Sequence, residues 1–208
     1  MNIFRIAAVS LLMSVAFCSI SVSAAEKEEA FGFLDITPAQ PTSSGGKIEV
    51  VEMFWYGCPH CYNFEPHIKQ WKKSLPKDVS FIRVPAIFND KWALHARAYY
   101  TAEALGVLEK IHQPLFDAMH KKNQRLDNQG KLAEFFSKHG ISKDKFNSTF
   151  HSFAVNSKVN WAKHLTTAYK IDGVPTMIVQ GKYRTSASLA GGHKEVIEVV
   201  NDLVAKER

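Results

Sequence analysis

The sequence predicts an α/β fold: an open, mixed central sheet flanked by helices and interrupted by an all-helical insertion. Three observations carry that prediction. Short apolar runs rich in β-branched residues fall at 48–54, 79–84 and 176–179, each bounded by turn formers. Between the second and third lie roughly 80 residues with helical apolar spacing and no strand pattern. The first strong strand runs straight into Cys58-Pro59-His60-Cys61, and a helix follows.

The elements follow in order. Residues 1–24 read as a cleaved signal peptide. Met1 to Arg5 give a short n-region with one positive side chain, 6–20 give an apolar h-region, and Ser21-Val22-Ser23-Ala24-Ala25 supplies the small exit residues. Cleavage is expected after Ala24, with Ala25 as second choice. The apolar run is short for a membrane anchor, which needs roughly 20 residues. Cys18 follows the bulky Phe17, a poor lipidation site, and is expected to leave with the leader.

After a charged lead-in at 26–29, residues 31–36 suggest a first strand. Residues 38–46 form a loop rich in Pro, Ser and Gly. Residues 48–54 read as a buried central strand. The helix after the motif extends to about Ser74, where Leu75-Pro76-Lys77-Asp78 stops it. Residues 79–84 form a second core strand ended by Pro85. Helices then fill 91–169, with Ser142-Lys143-Asp144-Lys145 resembling a capped start. Residues 176–179 and 183–185 should pair as a hairpin across Gln180-Gly181-Lys182. Gly191-Gly192 precedes a last helix from His193 to about Ala205. This divides the chain into a sheet domain at 25–90 and 170–208 and a helical insertion at 91–169.

Composition narrows the function classes. Hydrophobic residues make up 46% of the chain, enough for a core. The formal charge is +6, and loss of Arg5 leaves about +5, spread over scattered lysines rather than a nucleic-acid stripe. Of the three cysteines, two remain after cleavage, and both belong to one motif. A domain stapled for stability spreads its cysteines along the chain. A bridge across so small a loop also restricts the unfolded chain little. The pair therefore reads as reactive.

Placed where a strand meets a helix, Cys58 lies at the positive end of the helix, beside unpaired backbone N–H groups that stabilise a thiolate. Pro59 costs no hydrogen bond there and stiffens the turn. Cys61, one turn further in, is expected to be more buried and less acidic. His60 lies between them and can stabilise the Cys58 thiolate by charge or hydrogen bonding, which makes the disulfide a stronger oxidant. Structural zinc is disfavoured, because the motif supplies half a ligand set and no second cysteine pair exists. Glu52 interrupts the apolar strand six residues before Cys58. Buried there, its carboxyl resists ionisation and is placed to exchange a proton with Cys61. Gly173-Val174-Pro175-Thr176 sets a proline at the start of a core strand, where it cannot donate to the ladder. A cis Val174–Pro175 bond would make a tight bend and leave the Val174 backbone available to an extended substrate. Phe54, Trp55 and Tyr56 are candidates to line a groove, although core packing is the simpler role for Phe54.

Together, the Cys-Pro-His-Cys junction, the helical insertion and the late Gly-Val-Pro-Thr resemble the DsbA family of bacterial periplasmic thiol:disulfide oxidoreductases, over essentially the whole chain after the leader. The resemblance implies a thioredoxin fold, with Cys58 as exposed nucleophile, Cys61 as its buried partner and a cis Pro175 facing the dithiol. Glu52 matches the family's buried acid. Some members pair that acid with a lysine on the next strand, but Phe81-Ile82-Arg83-Val84 suggests an apolar residue at the expected place. The implied reaction is disulfide donation to reduced, newly exported proteins in the periplasm. Reoxidation would come from a DsbB-like, quinone-linked membrane oxidase. No organic cofactor or metal is implied beyond the redox-active pair, and nothing demands more than a monomer. Two other readings compete. A reductase or isomerase would share the motif, although isomerases usually add an N-terminal dimerisation domain. A peptide-holding chaperone would carry the pair only as structure.

Overall fold

The computed structural model describes residues 32–208, so the expected leader and its cleavage site lie outside the described residues. Five strands form one mixed sheet: β1 (Leu34–Asp35), β2 (Ile48–Phe54), β3 (Val79–Pro85), β4 (Thr176–Val179) and β5 (Tyr183–Thr185). Their spatial order is β1-β5-β4-β2-β3. β2 runs parallel to β3 and antiparallel to β4, and β5 pairs antiparallel with both β4 and β1. Every residue of β2 is buried, as its unbroken apolar run and central place require. β1 is shorter than the sequence suggests. It covers two exposed residues at the sheet edge, where little burial rewards a longer pairing.

The hairpin between β4 and β5 turns through Gln180 and Gly181, with φ of 51° and 64°. Two successive positive φ values make the tight turn whose twist suits antiparallel strands. A side chain at Gly181 would also collide with the backbone of Gln40.

Eight helices accompany the sheet in the described residues. α1 (Pro59–Lys72) follows β2. The inserted block contains α2 (Asp90–Ala104), α3 (Leu108–His120), α4 (Gln129–Lys138), α5 (Lys143–Phe150) and α6 (Phe153–Ala168). α7 (Ala187–Ala190) and α8 (His193–Lys206) close the chain. Their starts obey capping rules: Asn89, Asn128, Ser142 and Ser152 each accept a backbone N–H from the first turn. The expected cap at Ser142 is present. α7 went unread because Ala-Ser-Leu-Ala is too short to show a period.

The two sheet faces are covered differently. On one, Val50, Met177 and Val179 pack against Phe64, Ile68 and Trp71 of α1 and Val196, Val200 and Leu203 of α8. On the other, Val51, Met53 and Ile178 belong to a core that continues without a break through Leu115, Phe116, Phe136 and Phe146 of the inserted helices. The insertion therefore roofs the sheet and shares its core. Among the described residues no helix is long and apolar enough to cross a membrane.

Candidate active site

The mouth of the site is made where β2 ends. The chain turns through Gly57, and Cys58 becomes the N-cap of α1, with extended backbone at φ −91° and ψ 118°. Pro59 is the first helical residue, where its missing N–H costs nothing. The cap group is the sulfur itself: the backbone N–H of Cys61 donates to Cys58 Sγ at 3.4 Å. Pro59 and His60 are exposed. Cys58 is buried rather than openly exposed as expected, retaining 8% exposure, but Cys61 has none, so Cys58 is the sulfur nearer solvent.

The same asymmetry appears in acidity. Cys58 is lowered from 9.0 to about 6. The hydrogen bond from the Cys61 thiol is the largest cause, burial opposes it, and the Cys61 and His60 backbone N–H groups and the His60 charge add to it. Cys61 is pushed well above the ordinary thiol value, first by burial, then by the Cys58 hydrogen bond and charge, and also by the charge of Glu52. Cys58 and Cys61 are not bridged to each other.

Val174 and Pro175 come to the dithiol from the far end of the sequence. Their peptide bond is cis, and the Cys58 thiol donates to the Val174 carbonyl at 3.3 Å. An oxidised or ionised Cys58 has no proton to donate, which frees that carbonyl for another partner. A groove of about 280 Å³ opens there, lined by His60, Val174, Pro175, Ser186 and His193 among others. Its far wall includes Ala187 of α7, a helix the sequence did not reveal.

Glu52 lies beneath, in the middle of β2, fully buried. The expectation of an apolar neighbour opposite it is overturned. The parallel register sets Arg83 directly across from Glu52, and Arg83 Nε donates to Glu52 Oε2 at 2.8 Å. Arg83 also donates through Nη2 to both oxygens of Glu65, at 3.1 and 2.9 Å. Glu65 Oε1 meets His112 Nε2 at 3.0 Å, and His112 Nδ1 meets the Tyr56 hydroxyl at 2.9 Å. With the His112 Nε2 proton donated to the carboxylate, Nδ1 accepts from Tyr56. Five buried or nearly buried side chains thus form one chain of polar contacts. Glu52 Oε1 alone has no partner. Burial raises the Glu52 pKa from 4.5 to about 7; Arg83 pulls it down and the charge of Glu65 pushes it up. At neutral pH it therefore stands ready to take or give a proton.

Sequence reasoning missed Arg83, Glu65, His112 and Tyr56 as parts of this network. Glu65 was within reach, since it lies four residues after Cys61 on the same inward face of α1. Phe54 is core, as expected, and Tyr56 is buried too, whereas Trp55 is half-buried and stacks on Trp92 with centroids 4.3 Å apart. Among the described residues no three His, Cys, Asp or Glu side chains converge as a metal site.

Known proteins resemble this chain in sequence and fold. Residues 67–196 match the family model described as a DSBA-like thioredoxin domain. The chain is 43% identical over 198 residues to the thiol:disulfide interchange protein DsbA of Pseudomonas syringae pv. tomato, covering 95% of this chain and 92% of that one. It is 46% identical over 188 residues to the protein of the same name from Azotobacter vinelandii, covering 90% and 88%. The crystal structure of Pseudomonas aeruginosa DsbA superposes with a TM-score of 0.81 at 44% identity, covering 85% of this chain and 92% of that one. With a helical roof inserted into a thioredoxin sheet and its sequence shared nearly end to end with these proteins, the chain belongs to the DSBA-like thioredoxin family.

Proposed function

We propose that this protein, a thiol:disulfide oxidoreductase of oxidative folding, works by handing the Cys58–Cys61 disulfide to reduced, newly exported proteins. The observation that carries this reading is the asymmetry of the pair. Cys58 keeps a sliver of exposure and is acidic, at about 6, while Cys61 is fully enclosed and held protonated. A substrate thiolate attacks Cys58 Sγ. The disulfide breaks, and its electron pair goes to Cys61 Sγ, which takes up a proton. A second substrate thiolate then attacks the substrate sulfur of the mixed disulfide and expels Cys58 as a stable thiolate. The substrate loses two electrons and two protons; the protein gains both electrons and one proton, on Cys61, and the other proton goes to solvent while Cys58 stays ionised.

In this reading Pro59 fixes the turn and His60 adds positive charge beside the thiolate. Val174, freed when Cys58 loses its proton, offers its carbonyl to an extended client strand across the cis Pro175. Glu52 exchanges the proton of Cys61. The redox-active pair is the only electron carrier needed, without organic cofactor or metal. The leader read from the sequence supports export to the periplasm, and in this reading a DsbB-like, quinone-linked membrane oxidase restores the disulfide. The protein acts as a monomer. The test is oxidation of a reduced two-cysteine peptide by the pre-oxidised protein. Wild type should transfer one disulfide per molecule and C58S none. Full activity in C58S would end the dithiol mechanism, and a potential as low as that of a dedicated reductase would favour reduction instead.

A further inference from the structure

A second groove opens beside the motif and shares no lining residue with the groove at Val174 and Pro175. It begins at Gly57 and Pro59, has a volume of about 340 Å³, and passes Lys91, Met119 and His120 to the segment 123–127. There it merges with a further groove of about 540 Å³, because Gln124, Arg125 and Leu126 line both. The result is one trough leading from the reactive cysteine along the helical roof to Lys138.

Pro59, Met119, Leu126 and Phe135 give the trough apolar surface. Its charges are unequal: Lys91, Arg125, Lys131 and Lys138 against Asp127 and Glu134. Asp127 is shared by Arg125 and Lys131, and Glu134 by Lys138 and Lys143. The Arg125 side chain is 85% exposed, and the Lys91 ammonium rests 5.6 Å over the Trp55 ring.

We propose that this trough is a second client-binding surface, which takes the polypeptide on one flank of the attacked cysteine and favours acidic residues there. This rests on the oxidase reading and adds a substrate preference to it. The trough starts at the motif whose sulfur the client attacks, so a chain crossing Cys58 with one flank at Val174 has its other flank at the trough. A peptide supplies what the trough lacks: carboxylates for the surplus cations. Two exposed charge pairs are worth about fivefold together at low salt.

The experiment compares kcat/KM for three reduced two-cysteine peptides: neutral, acidic on the N-terminal flank of the cysteine, and acidic on the C-terminal flank. One acidic peptide, and only one, should outpace the neutral one by about fivefold. That advantage should fade from about 0.01 M to about 0.15 M salt, as the screening length falls from about 30 Å to about 8 Å. In K91E/R125E the preferred peptide should become the disfavoured one. No preference, equal preference for both flanks, or a preference that survives the double reversal would overturn the proposal. Oxidation of the neutral peptide, read in the same assay, separates failure of the trough from failure of the oxidase reading. Because the readout is a ratio between peptides, partial misfolding of the variant does not imitate it.

Discussion

Cys61 acts on Cys58 before any substrate arrives. Its thiol is the largest influence lowering Cys58 to about 6, ahead of the backbone N–H groups and the His60 charge. Replacing Cys61 with alanine should therefore move the Cys58 titration upward toward 9, and H60A should move it less. Thiolate absorbance against pH measures both, and a larger shift in H60A would reverse the ranking. The redox consequence has a definite sign. A lowered thiol pKa stabilises the reduced form, fully above the unreacted value of 9, and the effect is lost as pH falls through 6. At pH 7 it favours the dithiol by about tenfold, or about 30 mV. Below pH 6 two protons accompany two electrons, and above it Cys58 stays ionised and one does. The potential should therefore fall by about 60 mV per pH unit below the break and about 30 above it. A glutathione-buffer titration across pH 5 to 8 checks the slope, and an unbroken line would place the Cys58 pKa elsewhere.

Elements decide what surrounds Glu52, and here the sequence was only partly legible. Burial of Glu52 could be read from the apolar run in which it sits. Its partner could not, because strands 48–54 and 79–84 were read one at a time, and only their parallel register brings Arg83 opposite. His112 was hidden for a similar reason: it is one histidine among nine in the chain, and only the docking of α3 on α1 marks it out. The network has a pH signature. Glu52 binds its proton more tightly in the folded chain, at about 7 against 4.5. Its ionisation therefore weighs against folding as pH rises through that window, with no cost below 4.5 and the full cost above 7. E52Q has no such group. In urea denaturation of the reduced proteins, the stability of E52Q relative to wild type should rise between pH 4.5 and 7, by on the order of 3 kcal/mol. A flat difference would show Glu52 ionising alike in both states. R83M removes the cation between two buried carboxylates and should cost about 3–5 kcal/mol. H112L leaves the buried Tyr56 hydroxyl without its partner and removes one of the contacts to Glu65, which keeps Arg83, and should cost about 1–3 kcal/mol. Chemical denaturation at pH 7 ranks the two.

At the scale of the whole molecule, the order of strands and the helical block were legible, since each rests on a local period and local turn residues. What could not be read was how the block meets the sheet. A run of helices between two strand-rich segments reads equally well as a separate domain or as a roof. Side-chain volume decides in favour of the roof. Phe54 at the end of β2 touches Tyr56, Tyr99, His112 and Phe116, with ring centroids 5.2–5.9 Å apart, so one aromatic cluster joins β2 to α2 and α3. Neither part can shed the other without exposing Val51, Met53 and Phe54 on one side and Leu115 and Phe116 on the other. The protein should therefore unfold in one transition. Far-ultraviolet circular dichroism, which follows the helices, and fluorescence from Trp71, isolated by replacing Trp55, Trp92 and Trp161 with phenylalanine, should give superimposable urea curves. Trp71 packs in the opposite core, against α8. Phe116 belongs to α3 of the insertion and packs on Phe54 across the shared core, and F116A is expected to cost about 3–5 kcal/mol. Coupled through the shared core, it should lower the Trp71 midpoint as far as the helical one. Two separated transitions, or an F116A effect confined to the circular dichroism, would show the roof folding independently of the sheet it covers.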